Sequence, residues 1–376
     1  MKQTPVMLML AIVVCLTVTA SRGTLAQDAR RPEVRFVSTT KAGTMEKELN
    51  ELAAKGFRVE RISKSTFSGN LAALVVSSDK SSPATRYEYK LLATRRAETM
   101  EKEIMEAAGQ GYEMRGLISL MRPGFAAFIG DETTALMERP FGESAMRYEY
   151  KILSSTRDKG MQADLNDAVS AGFTPIEVLL SQDARRGVSV LLGPKFAVTA
   201  ILGRQANNAS PARGREYKFL GTSKVSTMER EMNEQAKDGY RLYFCASTLV
   251  ALMYKDEGVS GPVPYQYKLL ATRKTGTMQK ELSEHGLKGY KYLATTSGLG
   301  GLTAVLERDL RPEEKESRRE YKLIATRREN TTQNELVEAL AAGYQLLDLT
   351  TVGEFIAVLD RKTEDQPAKA NAKAAR

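Results

Sequence analysis

The chain has 376 residues, 42% of them hydrophobic, and its 55 Lys and Arg against 46 Asp and Glu give a formal net charge of +9. That length is enough to bury several cores, and the basic excess is spread along the chain rather than clustered, which argues against a dedicated nucleic-acid binder. With one His, two Cys and no Trp, the composition excludes a usual His/Cys zinc site and a disulfide framework.

In chain order, Lys2, the apolar run Val6 to Ala20 and the small residue in Thr24-Leu25-Ala26 predict a secretory signal peptide over residues 1–26. The run is shorter than the roughly 20 residues a spanning helix needs. No other stretch approaches that length, so no transmembrane segment is expected after its removal, and Cys245 remains alone as a buried, inert thiol. The expected location is periplasmic or secreted.

Six tandem repeats follow, bounded at residues 27–80, 81–141, 142–205, 206–257, 258–310 and 311–362, with a disordered tail over 363–376. The interval from a helix-start Thr to a Gly is constant: Thr44 to Gly56, Thr99 to Gly111, Thr227 to Gly239, Thr277 to Gly289 and Thr331 to Gly343, with Gly160 to Gly172 as a copy that starts on Gly. Ahead of it lies a strand with an aromatic at Tyr89, Tyr150, Tyr217, Tyr267 and Tyr321, replaced by Val34 in the first copy. A base follows, then two adjacent apolar residues such as Leu91-Leu92. Adjacent apolar positions point to opposite faces, so both faces of the sheet should be covered.

The helix carries apolar residues at offsets 1, 5, 8 and 9 from the Thr, as in Met45, Leu49, Leu52 and Ala53, one stripe on a helical wheel. The Thr is expected to cap it, Glu46, Glu101 and Glu229 to favour its positive end, and the Gly to end it in the left-handed region. A second strand begins at the aromatic after the Gly, and a third closes on Ala-x-x-x-base, as in Ala135 to Arg139 and Ala357 to Arg361. The prediction is an α+β fold of six β-α-β-β units, with a parallel first strand pair through the helix, a hairpin for the second and third strands, and units packing in pairs through their sheets.

The order Tyr-x-Tyr-Lys-Leu-Leu (Tyr87 to Leu92, Tyr265 to Leu270), amphipathic helix, Gly-aromatic and a strand ending in Leu306-Glu307-Arg308 resembles a family of small bacterial domains of unknown function. That resemblance implies a fold and brings no catalytic residues; the family's Trp after the helix Gly is missing here. The strand order is also similar to that of dodecins, without their flavin-stacking Trp.

Two polar columns are the candidate site residues. The acids Glu48, Glu103, Asp164, Glu231, Glu281 and Glu335, four residues after the Thr, read as structural partners for a base of their own unit such as Lys90 or Arg96. The bases Lys41, Arg96, Arg157, Lys224, Lys274 and Arg328, three residues before it and joined by Arg95, Arg273 and Arg327, sit where a helix start could hold an anion. His285 reads as a partly buried structural imidazole, and the methionines Met45, Met100, Met161, Met228 and Met278 as core filler. No catalytic set, cofactor motif or metal site is expected. The expected function is an exported, non-enzymatic repeat protein that serves as a binding or scaffold surface for a protein or acidic envelope polymer, with no nucleic-acid partner. The alternatives are a carrier holding a small ligand in clefts lined by Tyr240, Tyr243, Tyr290 and Tyr292, or an enzyme with one diverged repeat near His285.

Overall fold

The computed structural model describes residues 33–363, apart from 64, 67–69, 78–85, 95–96, 121–131, 143–147, 156–157, 183–195, 207–213, 223, 248–249, 299–300, 312–317 and 352. The expected signal peptide and the tail after 363 therefore lie outside the described residues, as do Arg95, Arg96 and Arg157.

Unit one runs β1 (Val34–Thr39), α1 (Ala42–Ala54), β2 (Phe57–Ile62), the two-residue β3 (Ser65–Thr66) and β4 (Leu71–Ser77). Unit two is β5 (Tyr87–Thr94), α2 (Ala97–Gly109), β6 (Glu113–Leu120) and β7 (Glu132–Pro140). Unit three is β8 (Tyr148–Ser155), α3 (Asp158–Ser170), β9 (Thr174–Gln182) and β10 (Phe196–Gln205). Unit four is β11 (Arg215–Gly221), α4 (Val225–Lys237), β12 (Arg241–Ser247) and β13 (Val250–Asp256). Unit five is β14 (Tyr265–Thr272), α5 (Thr275–Gly286), β15 (Lys291–Gly298) and β16 (Gly301–Asp309). Unit six is β17 (Arg319–Thr326), α6 (Glu329–Ala341), β18 (Gln345–Thr351) and β19 (Phe355–Lys362). The α+β class and the six β-α-β-β repeats are as the sequence predicts.

Strand order within a unit corrects the expected parallel first pair. The third strand lies between the first and second and pairs antiparallel with both, as in β1-β4-β2 and β14-β16-β15. The first two strands still run in the same direction, but the hairpin folds the third into the gap that the helix crossover leaves. Each second strand carries a register shift, for example between Val59 and Arg61 and between Tyr292 and Ala294.

The helix ends need one correction and one confirmation. The helices α1, α4, α5 and α6 begin two residues before the Thr, so their N-cap is the base: Lys41, Lys224, Lys274 and Arg328 all have extended backbone and no side-chain cap bond. The strand-end hydroxyls of Thr39, Thr222, Thr272 and Thr326 accept the N–H of these bases at 3.0 to 3.3 Å. This turn places the chain on the helix before the predicted Thr is reached. At the other end Gly56, Gly111, Gly172, Gly239, Gly289 and Gly343 all have φ between 83 and 93°. The following aromatic N–H reaches back to a helix carbonyl, as in Tyr112 to Ala107 and Tyr344 to Ala339, both 3.1 Å.

Packing through the sheets extends beyond pairs. Each helix covers its own sheet and also touches the first strand of the next unit, and α6 does the same to β1. Six cores result, each shared by two neighbours. The core of unit one takes in Tyr89, Ile118 and Leu136 of unit two, and that of unit six takes in Val34, Phe36, Ala72 and Leu74 of unit one. The units therefore close into a ring. Second strands from β6 onward meet their successors around the ring and β18 meets β2, while β3 leaves unit one to pair in parallel with β18 and β6. Both faces of every sheet are covered, as the adjacent apolar positions require.

Candidate functional site: the joints between units and the exposed basic column

Most of the repeated polar residues build joints. The second Tyr of the Tyr-x-Tyr motif is buried and inserts beneath the preceding unit. There its Oη accepts the backbone N–H three residues past the helix Gly: Val59 to Tyr89, Met114 to Tyr150, Leu242 to Tyr267 and Tyr292 to Tyr321, at 2.7 to 2.9 Å. Burial raises the pKa of all four hydroxyls, that of Tyr321 up to about 12. In two joints the same Oη donates to a buried carboxylate, Tyr89 to Glu138 at 2.9 Å and Tyr267 to Glu307 at 3.1 Å. Each carboxylate also receives an arginine from the preceding unit, Arg58 at 2.7 Å and Arg241 at 2.8 Å. Those guanidinium groups lie 4.1 and 4.2 Å over the first Tyr of the motif, Tyr87 and Tyr265.

The first strand of each sheet is an edge, and the preceding helix covers it with side chains. Asn50 and Asn233 bond both the N–H and the C=O of Tyr89 and Tyr267 at 2.9 to 3.0 Å. Gln162, Gln279 and Gln333 hold Tyr217/Phe219, Tyr321/Leu323 and Val34/Phe36 in the same two-sided way. Glu46 and Glu229 accept the N–H of Leu91 and Leu269. This satisfies an edge that would otherwise recruit another strand.

Within a unit, the aromatic after the Gly is a packing platform. Arg139, Arg204 and Arg361 lie 4.4 to 4.6 Å over Tyr112, Phe173 and Tyr344. They also donate to the helix-end carbonyls of Gln110, Ala171 and Ala342 and to Glu88, Glu149 and Glu320. The pKa of Glu320 is lowered by the Tyr344 hydroxyl and then by Arg361. The closing Ala-x-x-x-base is thus a C-terminal helix cap.

Among the described residues the acidic column makes no ion pair with a strand or loop base of its own unit, and Arg96 lies outside them. Lys90 instead donates to Gln110 at 2.8 Å and lies over Tyr112, and the strand base that does meet a helix acid, Lys268, takes Glu229 of the preceding unit at 3.0 Å. Helix offsets two and six face the next strand, whereas offset four is turned by about half a revolution from offset two. Glu48, Glu103, Glu231, Glu281 and Glu335 are half-buried and Asp164 is exposed; Glu231 lies 4.0 Å from its neighbour Arg230. Glu48 approaches Glu329 at the start of α6, whose pKa is raised first by burial and then by that second carboxylate. Glu281 shares an open groove of about 810 Å³ with Lys224, Lys268, Glu284 and His285. Glu48 and Glu281 therefore look toward the helix start of the preceding unit.

Of the basic column, Lys41, Lys224, Lys274 and Arg328 are all exposed, and none makes an ion pair with a described residue. His285 is half-buried, its Nδ1 2.9 Å from the Glu281 carbonyl oxygen and its ring edge-on to Tyr290. The five methionines are buried in the cores. The tyrosines named as cleft-lining are engaged in contacts: Tyr240 with Glu216, Tyr290 with Gln266, Tyr292 with Asp348 and Tyr243 with the Pro175 carbonyl. Among the described residues no group of three His, Cys, Asp or Glu is placed to hold a metal ion, and no helix is long and apolar enough to cross a membrane.

Sequence reasoning missed two sets of residues. The clamp column was visible as an unbroken Glu or Gln two positions after the Thr, at Glu46, Glu101, Gln162, Glu229, Gln279 and Gln333. The buried Glu138 and Glu307 gave only a broken signal, because their column is acidic in three copies, with Asp360 in unit six, and holds Val76, Gly203 and Tyr254 in the others. No family model matches the chain, and no curated protein matches it.

Proposed function

We propose that the protein is an exported, non-enzymatic ring scaffold that binds an acidic envelope polymer, or an acidic protein surface, along its circle of helix-start bases. The observation that carries this reading is the contrast between the columns. The tyrosines and clamp amides are absorbed by the joints and the closing arginines by the helix ends of their own units, whereas Lys41, Lys224, Lys274 and Arg328 are exposed and make no ion pair with a described residue. A base at a helix start works against the helix dipole by about 0.3–1 kcal/mol, so its presence in every copy is not explained by helix stability. Export rests on the leader pattern of residues 1–26. The carrier alternative would require Tyr240, Tyr243, Tyr290 and Tyr292 to leave the partners that now hold them.

The test is retention on immobilised polyphosphate and on immobilised polyglutamate as salt is raised. Retention should fall with salt and vanish when Lys41, Lys224, Lys274 and Arg328 are all replaced by Glu. Undiminished retention of that variant would remove the basic column from the function.

A further inference from the structure

The six joints are not equally made. We infer that the ring parts first at the joint between the third and fourth units, even though this joint is bridged by continuous chain. The buried tyrosine at this joint is Tyr217, 2% exposed. The residue three past the helix Gly172 is Pro175, which has no N–H to offer. Tyr217 Oη has no hydrogen-bond partner. Arg215 and Tyr243 lie near enough to act on this hydroxyl, but their bonds go to other groups: Arg215 pairs with Asp256 at 2.7 Å, and Tyr243 donates across the joint to the Pro175 carbonyl at 2.8 Å. The arginine position of the joint is Thr174 and the carboxylate position, opposite Tyr217, is Tyr254, so the buried ion pair of the first and fourth joints has no counterpart. A groove of about 500 Å³ opens between Asn166, Val169 and Ser170 of α3 and residues Gly214 to Glu216 of unit four.

The joint where the chain ends meet, between units six and one, is the obvious rival, since no covalent link crosses it. It lacks the tyrosine altogether and so leaves no hydroxyl orphaned. Phe36 stacks edge-on against Phe355 at 5.0 Å and β3 is paired with β18, while the Gln333 clamp on β1 is matched by that of Gln162 on β11. A buried hydroxyl without a partner loses its solvation with nothing in return, whereas an apolar replacement of the pair does not. The third joint is therefore the weaker.

Equivalent amides report on five joints in the intact protein, because each is bonded only by a side chain of the preceding helix: Leu91, Phe219, Leu269, Leu323 and Phe36. Hydrogen exchange resolved to these residues should find Phe219 the fastest. Tyr217→Phe should leave Phe219 exchange unchanged or slower, while Tyr267→Phe should speed Leu269 exchange roughly fivefold, the factor that corresponds to about 1 kcal/mol. Pro175→Ala, which restores a donor, should slow Phe219 alone. The inference fails if Phe36 or any other of the five exchanges faster than Phe219, or if Tyr217→Phe loosens its joint as Tyr267→Phe does.

Discussion

Glu307 is 4% exposed and its partner Arg241 is 40% exposed at the side chain, so the two ends of this ion pair differ in what they lose when separated. Without its carboxylate the arginine can hydrate and keep its stack on Tyr265. Without Arg241 the carboxylate stays buried with the Tyr267 hydroxyl as its remaining cross-strand donor. Removing one partner of a buried pair typically costs about 3–5 kcal/mol, while replacing both is often neutral. Arg241→Ala should therefore destabilise by about 3 kcal/mol, Glu307→Gln by less, and the double variant should recover most of the Arg241→Ala loss. Urea midpoints for the three proteins check this, and equal losses in Arg241→Ala and the double variant would contradict the buried-charge account. Arg58 and Glu138 show the same asymmetry, but Arg115 also lies 3.5 Å from Glu138, so Arg58→Ala should cost less than Arg241→Ala.

At the level of elements, what was legible in the sequence is what neighbours in sequence decide. The helix stripe, the Gly stop and the two-faced strand follow from periodicity and backbone preference, and all appear where expected. The place of the third strand was not legible, because hydrophobic alternation does not record which strand lies between two others. The helix start was misread by two residues, since the turn is set by a hydroxyl at the strand end and not by the Thr within the first turn. The clamp residues were seen as helix-start acids because their partners lie on the next unit. Two glycines separate the backbone roles. Gly239 has φ +93°, and a Cβ there would meet the Gly261 carbonyl at 2.9 Å, whereas Gly109 is the last residue of α2 with nothing within 4 Å. Gly239→Ala should cost about 1–2 kcal/mol, and Gly109→Ala should stabilise by about 0.5–1 kcal/mol. Thermal melts that moved in the same direction would count against this division.

For the molecule as a whole, closure removes the need for capping repeats: an open array of such units would leave one sheet face bare at one end and one helix flank at the other. Stability is then shared among joints, and four of the six place a tyrosine hydroxyl on a neighbouring unit's backbone N–H. That gives the ring a particular alkaline limit. Burial raises the pKa of Tyr89, Tyr150, Tyr217, Tyr267 and Tyr321, with Tyr217 and Tyr321 pushed up to about 12, while in the unfolded chain a tyrosine loses its proton near pH ~10. Below that pH both states hold the proton and the contribution to stability is complete. Above it the folded ring retains protons that the unfolded chain has released, so stability falls as pH rises, by about 1.4 kcal/mol per pH unit for each such tyrosine. Five acting together should bring the ring down in one cooperative transition rather than by gradual titration. Tyrosinate absorbance and far-ultraviolet circular dichroism, followed on the same samples from neutral pH upward, should show the buried tyrosines ionising at the pH where the helices are lost. If these tyrosines ionise near pH ~10 while the helical signal persists, their hydroxyls are not held in the joints, and the ring does not owe its cohesion to them.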